Sequence, residues 1–186
     1  MGLTGKVFFT SDWHLDHANI IKYSNRPFTS VGEMNQTIID NVNAKVGPDD
    51  TLYFLGDFCF NIKHYEEFRR AIQCKNLHLI YGNHDRAIQL NTYLQGLFSS
   101  CQHMLQIQFN NKSIVLCHYA LRTWSKSHRG AWSLYGHSHG SLPDDPNLLS
   151  FDVGVDCHNF QPLSFDDVRK IMSRKGQSID GLSQVR

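Results

Sequence analysis

Short apolar segments alternate along the chain with longer segments that have helical periodicity. Apolar runs typical of strands occupy residues 6–10, 51–55, 77–81, 113–117, 132–136 and 151–155. Residues 101–117 alternate between polar and apolar positions around Asn110-Asn111-Lys112, as an antiparallel hairpin does. Helical segments separate most of the other runs, so the pattern predicts a layered α/β fold whose sheets are mixed.

Helices are predicted at residues 30–46, 64–73 and 164–172. The first begins with Ser30, and Glu33 follows at the spacing of a capping box, in which each side chain bonds the backbone N–H of the other residue. Ser164 and Asp167 have the same spacing at the start of the third helix. Apolar positions of the first helix lie on one face, so we expect that helix to cover a sheet.

Length and composition are typical of one globular domain. We expect it to span residues 1–186, with a tail that frays from about Lys175. The chain has 18 Lys+Arg and 17 Asp+Glu, so its net charge of +1 favours neither a groove for long nucleic acid nor a membrane-surface patch. No apolar run has the length of a transmembrane helix, and the first residues turn polar too soon for a signal peptide, which predicts a cytoplasmic protein. The five cysteines include no CxxC pair and fit reduced thiols. The oligomeric state is left open.

Polar residues follow five of the predicted strands directly. They are Asp12 and His14, then Asp57, then Asn83, His84 and Asp85, then His118, and finally His137 and His139. Because ligands of α/β proteins bind at the carboxyl ends of the strands, we expect these five segments to meet at one rim. Gly56, Gly82 and Gly136 precede three of the groups, where the missing Cβ permits a sharp turn.

The residue types at this rim are metal ligands. Asp, Asn and His offer oxygen and nitrogen donors, and the spacings D-x-H and H-x-H let alternate residues of a turn face one ion. Seven candidates are present, namely Asp12, His14, Asp57, Asn83, His118, His137 and His139. One ion needs three or four ligands, whereas two ions about 3.5 to 4 Å apart and bridged by a carboxylate use all of them. The ligand types admit Mn, Fe, Zn or Ni without choosing among them.

Five sequence blocks resemble the motifs of the calcineurin-like metallophosphoesterases in kind and order. They are DWH, GD, GNHD, a single His after a strand, and GHSH. The longer stretches TSDWHLDHANIIKYSNRPF, HYALRTWSKSHRGAWSLYGHSHG and VGVDCHNFQPLSFDDV are similar to small stand-alone members from bacteria and their phages. The resemblance covers roughly residues 6–170.

This resemblance implies a fold and a division of the ligands. The implied fold is a four-layer αββα sandwich, with two mixed sheets between helices. One ion would be bound by Asp12, His14 and His139, the other by Asn83, His118 and His137, with Asp57 bridging the two. The segment GDFCFNI lacks the Asp-Arg-Gly that follows GD in Ser/Thr protein phosphatases, which argues against that branch.

The ligand set predicts phosphoester hydrolysis by an enzyme. Two cations that share a water lower its pKa toward neutrality and hold the resulting hydroxide in line with phosphorus. His84 belongs to a motif without being counted as a ligand, so it is the candidate proton donor to the leaving group. Asp85 either orients His84 or has a structural role. His17 lies either near the site or at a helix start or on the surface.

The predicted substrate is a small phosphodiester, and nucleotides are among the candidates. Arg122, His128 and Arg129, in the loop 119–131, are expected to contact phosphate oxygens, with solvated loop charges as the alternative. Trp124 and Trp132 are expected to pack rather than to stack on bases. A phosphomonoesterase or a nucleotide pyrophosphohydrolase is the alternative activity. A non-catalytic scaffold is the alternative of a different class, although no ligand is missing.

Overall fold

Within residues 5–175, which a computed structural model describes, nine strands form two separate sheets. The strands are β1 (Val7–Thr10), β2 (Thr51–Phe54), β3 (Asn76–Ile80), β4 (Ser100–Gln102), β5 (Met104–Phe109), β6 (Lys112–Cys117), β7 (Trp132–Tyr135), β8 (Ser150–Asp152) and β9 (Leu163–Ser164). The helices are α1 (Ala18–Tyr23), α2 (Val31–Lys45), α3 (Tyr65–Ala71), α4 (Arg86–Gln89), α5 (Thr92–Gln95) and α6 (Phe165–Ser173). Short 3-10 turns occupy Ile62–His64, Ser127–Arg129 and Val155–Cys157.

Both sheets are mixed, as predicted. The first has the order β4-β3-β2-β1-β9, in which β1 to β4 run parallel and β9 pairs antiparallel with β1. The second has the order β5-β6-β7-β8, in which the predicted hairpin β5–β6 is antiparallel and the other pairs are parallel. The carboxyl ends of β1, β2 and β3 therefore share one edge of the first sheet, and those of β6 and β7 share one edge of the second.

Alternation along the strands produces two apolar cores. Phe8 of β1 packs in the core that the first sheet forms with the helices, together with Met34 of α2. Its neighbour Phe9 points to the opposite face and packs between the two sheets with Ile114 and Leu134. The prediction of an α/β sandwich with two mixed sheets is confirmed. Residues of the loop after β6 border a cavity together with Val115 of the second sheet.

The predicted helices are present, and their caps differ. In α6 the capping box is complete, because Ser164 and Asp167 bond each other's backbone N–H. In α2 only half of the box forms: Ser30 accepts from the N–H of Glu33, whereas the Glu33 carboxylate accepts from the N–H and hydroxyl of Thr29. The sequence pattern missed α1, α4, α5, β4 and β9, which have two to six residues and are too short to show a period.

The predicted tail begins at a residue that is anchored. Lys175 is buried, and its ammonium group contacts Asp144 and donates to the carbonyl of Ser150 at 2.7 Å. The rest of that prediction concerns residues 176–186, which lie outside the described residues.

Among the helices between residues 5 and 175, none combines the length and the apolar composition needed to cross a membrane.

Candidate metal centre

Most of the predicted ligands lie on turns with an unusual backbone. Five of the seven have a positive φ: Asp12 (60°), His14 (51°), Asp57 (62°), His137 (66°) and His139 (47°). Left-handed backbone is disfavoured for residues that carry a Cβ, and it persists only where the surrounding structure enforces it. The chain thus leaves β1, β2 and β7 through turns with disfavoured backbone, and these turns help to bring the polar side chains together.

Asp12, His14 and His139 form the first candidate ligand group. The Asp12 Oδ1 atom lies 4.0 Å from His14 Nε2 and 3.9 Å from His139 Nε2. The two imidazole rings are 5.0 Å apart. One cation between these three atoms would therefore meet one oxygen and two nitrogen donors, a set that suits first-row transition metals.

Asp57, His118 and His137 form the second candidate group. His118 Nε2 lies 3.6 Å from Asp57 Oδ2 and 3.0 Å from Asn83 Oδ1, which adds the predicted amide to the group. The same Asp57 Oδ2 lies 3.4 Å from His14 Nε2 of the first group. One carboxylate oxygen thus faces both groups, as the predicted bridging role requires.

Two buried polar atoms of the first group are available to bind a cation. Asp12 Oδ1 and His14 Nε2 are buried and have no hydrogen-bond partner within the described residues, a costly arrangement unless another group binds them. Burial raises the pKa of Asp12 well above its ordinary value and also raises the pKa of Asp57. A bound cation would remove this penalty, because it stabilises the ionised carboxylates.

The buried imidazoles are in the state that metal ligation needs. Burial and then the charge of His139 lower the pKa of His14, and burial lowers the pKa of His118 to about 4. Both rings are therefore neutral at neutral pH and have a nitrogen lone pair available. His118 Nδ1 donates to the carbonyl of Leu55 at 2.6 Å, which leaves Nε2 to face Asp57.

Each candidate carboxylate accepts a backbone hydrogen bond at one oxygen and faces histidines with the other. Asp12 Oδ2 accepts from the N–H of His137 at 2.9 Å, and Asp57 Oδ1 accepts from the N–H of His84 at 2.8 Å. The remaining oxygens, Asp12 Oδ1 and Asp57 Oδ2, are those that face the histidines. These bonds join turns from different strands, so the ligand groups are oriented by the backbone of their neighbours.

An ion pair that sequence reasoning missed supports the first group. His139 Nδ1 lies 2.7 Å from Asp156 Oδ2, and Asp156 in turn accepts two hydrogen bonds from Arg26, each of 2.8 Å. Arg26 is buried and also donates to the carbonyls of Asp12 and Trp13. Burial alone would lower the pKa of His139, but the hydrogen bond to Asp156 and the charge of Asp12 raise it.

The Arg26–Asp156 pair fixes the His139 ring and the DWH turn at once. The two residues are 130 positions apart, and no spacing rule connects them. The sequence pointed to Arg26 and Asp156 only in that they lie in SNRPF and VGVDC, which are parts of the longer stretches quoted in the sequence analysis.

Asp85 has a structural position. Its carboxylate is fully buried and accepts from three backbone N–H groups, those of Gly82 and Asp57 at 2.8 Å and that of Phe58 at 3.0 Å. Within the described residues, neither oxygen bonds the His84 ring. Of the two roles considered for Asp85, the structure favours the structural one, since this carboxylate ties the GNHD turn to the GD turn.

His84 and His17 both lie beside the first group. The exposed His84 side chain has a ring nitrogen within 4.8 Å of ligand atoms of His14 and Asp57. Its ring centre is 5.3 Å from that of His14, and the His17 ring is 5.5 Å from that of His14. His17 meets two of the descriptions at once, since it is the N-cap residue of α1 and also lies near the site, where burial and then His84 lower its pKa.

Comparison with known proteins places the chain in a family. No protein-family model matches it. The uncharacterized protein MJ1445 of Methanocaldococcus jannaschii is 32% identical over 176 residues, which is 91% of this chain and 92% of that protein. The chain belongs to the MJ1445 family.

Solved structures with a similar fold include the protein of unknown function AQ665 from Aquifex aeolicus. It is 22% identical, covers 90% of this chain and 100% of its own, and has a TM-score of 0.71. A novel archaeal phosphodiesterase matches at 16% identity over 80% of this chain and 83% of its own, with a TM-score of 0.47. The likeness to AQ665 shows that the two chains share a fold.

The three predicted loop cations have no contact that links them to the ligand groups. Within the described residues, Arg122, His128 and Arg129 form no ion pair or hydrogen bond with the candidate ligands, and Arg122 lines a cavity beside Tyr135 and Leu142. The part of the loop that does reach the site is its first residue. Tyr119 lies 5.0 Å from the His118 ring and 4.8 Å from the His137 ring.

Replacement of Gly136 by alanine should disrupt the centre. A Cβ at this position would collide with Ser11 Oγ and Asp12 Oδ2. We expect the free energy of unfolding to fall by about 1–3 kcal/mol, the usual cost of overpacking, and metal affinity to fall because Asp12 must move. Urea titration and calorimetry measure the two effects.

Gly32→Ala is the matched control, because nothing lies within 4 Å of its added Cβ in α2. We expect this variant to bind metal normally and to gain up to about 1 kcal/mol. Equal behaviour of the two variants would contradict the steric role of Gly136.

Proposed function

We propose that this protein is a metal-dependent phosphoesterase that hydrolyses a small phosphodiester. The observation that carries the proposal is the convergence of the seven candidate ligands into two groups that share Asp57 Oδ2. Asp12 Oδ1 and His14 Nε2 support it independently, because they are buried and have no hydrogen-bond partner within residues 5–175, which leaves both atoms available to bind a cation. The order of the motifs along the sequence, which resembles that of the calcineurin-like metallophosphoesterases, agrees with this reading.

Asp12, His14 and His139 would hold one cation, and Asn83, His118 and His137 the other, with Asp57 shared. Two divalent cations supply Lewis acidity toward phosphoryl oxygens and lower the pKa of water.

The residues of the chain provide orientation and proton transfer. The Arg26–Asp156 pair holds the His139 ring, and Asp85 fixes the turn on which Asn83 and His84 lie. The His84 side chain is exposed beside the first group, so it is accessible to the leaving oxygen of a substrate. Its proposed role is to donate a proton to that oxygen as the ester bond breaks.

A substrate pair tests the reaction class. With Mn²⁺, Ni²⁺ or Zn²⁺ supplied, we expect bis-(p-nitrophenyl) phosphate to be cleaved with a higher kcat/KM than p-nitrophenyl phosphate. Release of p-nitrophenol is followed by absorbance. A preference for the monoester with each metal would replace the diesterase by a phosphomonoesterase, and no turnover of either ester would contradict the proposed function.

Metal stoichiometry tests the shared carboxylate. Elemental analysis of the reconstituted protein should approach two transition-metal ions per chain. Asp57→Asn should lower the occupancy of both sites, because the oxygen that faces both groups loses its charge. Asp49→Asn is the matched control, since Asp49 precedes β2, whereas Asp57 follows it, and forms an exposed ion pair with Lys75. A saturated protein with one ion, or full occupancy in Asp57→Asn, would contradict the dinuclear arrangement.

Replacement of His84 separates binding from proton transfer. His84→Ala should retain its metals but lose roughly 10²- to 10⁴-fold in kcat, the usual contribution of a positioned proton donor. His103→Ala replaces another exposed histidine, which packs beside Tyr81, and should leave kcat unchanged. Loss of metal from His84→Ala would instead make His84 a ligand, consistent with its place near His14 and Asp57.

A further inference from the structure

An exposed aromatic cluster borders the candidate metal centre. We define it as His17, Tyr23 and Phe60. Phe60 is 54% exposed and Tyr23 is 75% exposed, although large apolar rings are usually buried. The rings of His17 and Phe60 are stacked, with centres 4.1 Å apart and planes 11° apart, and the Tyr23 ring meets His17 edge-on at 6.2 Å.

The position of this cluster is fixed relative to the ligands. Phe60 follows the candidate ligand Asp57 by three residues, and its N–H donates to the carbonyl of Leu15 at 2.8 Å. Leu15 and Cys59 also form a β-bridge, so the segment after the GD turn is paired with the segment after the DWH turn. Phe60 is therefore held in place by backbone bonds while much of its side chain remains in water.

The cluster is continuous with the groups proposed to act on phosphate. The His17 ring lies 5.5 Å from the ring of His14, and the Phe60 ring lies 5.7 Å from that of His84. Because His17 covers one face of Phe60, the exposed area of that ring is on the opposite face and the edges. The exposed face of Phe60 is thus a flat apolar surface beside His84, the proposed proton donor. The His17 ring lies near both Phe60 and the candidate ligand His14.

We propose that Phe60, backed by His17, is a stacking platform for the nucleobase of a nucleotide substrate. This inference deepens the proposed function and rests on it for the placement of the phosphate. A base and its phosphate are joined through one sugar, so a base on Phe60 leaves the phosphate beside His84 and His14. Base–aromatic stacking requires only that each ring offers a π-face. Phe60 has one exposed face, which accommodates one base. The platform therefore favours a single nucleotide over a long strand.

A ligand pair that differs only in the base tests the platform. Adenosine 5′-monophosphate and ribose 5-phosphate have the same sugar phosphate, and calorimetry gives their dissociation constants with and without Mn²⁺. We expect the nucleotide to bind about 5- to 150-fold more tightly, the range for one stacked base. Phe60→Leu should reduce the ratio to near one, because it keeps an apolar side chain but removes the ring, whereas Phe60→Tyr should retain it.

Tyr93→Ala is the control for removal of an exposed ring, since Tyr93 is 59% exposed on α5 and outside the cluster. It should leave the ratio unchanged. Equal binding of the two ligands by the wild-type protein, no binding of either, or an unchanged ratio in Phe60→Leu would overturn the platform. Base-dependent binding without hydrolysis of any ester would instead refute the phosphoesterase and keep the platform. Cleavage of bis-(p-nitrophenyl) phosphate without base-dependent binding would instead refute the platform and keep the phosphoesterase.

Discussion

Two buried carboxylates, Asp12 in one ligand group and Asp57 facing both groups, impose the main constraint on this structure. Within the described residues, Asp12 and Asp57 form no ion pair with a lysine or an arginine. The buried cation near them, Arg26, is bonded to Asp156 and to backbone carbonyls. Uncompensated carboxylates are expensive to bury, and the raised pKa values of both groups express that cost. His139 offsets part of this cost, because its charge lowers the pKa of Asp12. For the remainder, the fold must keep these groups protonated or admit an external positive charge.

The rest of the fold brings the two carboxylates and the other candidate ligands close together at the strand ends. The ends of β1, β2 and β3 supply Asp12, His14, Asp57 and Asn83, and the ends of β6 and β7 supply the remaining histidines. Positive φ values at most of these positions cost conformational energy, which the surrounding apolar cores must offset. Backbone N–H groups of neighbouring turns then hold one oxygen of each carboxylate, so the orientation of the site does not depend on flexible side chains.

The sequence predicted the parts of this arrangement that depend on local pattern. Seven of the nine strands, the helix caps Ser30 and Ser164 and the polar residues after five strands are all local signals. The parallel order of β1, β2 and β3 makes their ends meet. Arg26 and Asp156 could not be found this way, because their contact joins segments 130 residues apart. The structural position of Asp85 depends on three backbone N–H groups that have no sequence signature. The exposure of Phe60 was equally hidden, since an aromatic residue in an apolar segment is usually assigned to the core.

The distribution of the candidate ligands over both sheets has a mechanical consequence. Asp57 follows a strand of the first sheet and His118 follows a strand of the second, and their side chains lie 3.6 Å apart. A cation held between them would act as a cross-link between two layers that are otherwise joined mainly by apolar packing. Such a cross-link restricts sliding of one sheet over the other and stabilises the folded chain in proportion to the logarithm of free metal concentration. Metal supply would then set the rigidity of the sandwich as well as its chemistry.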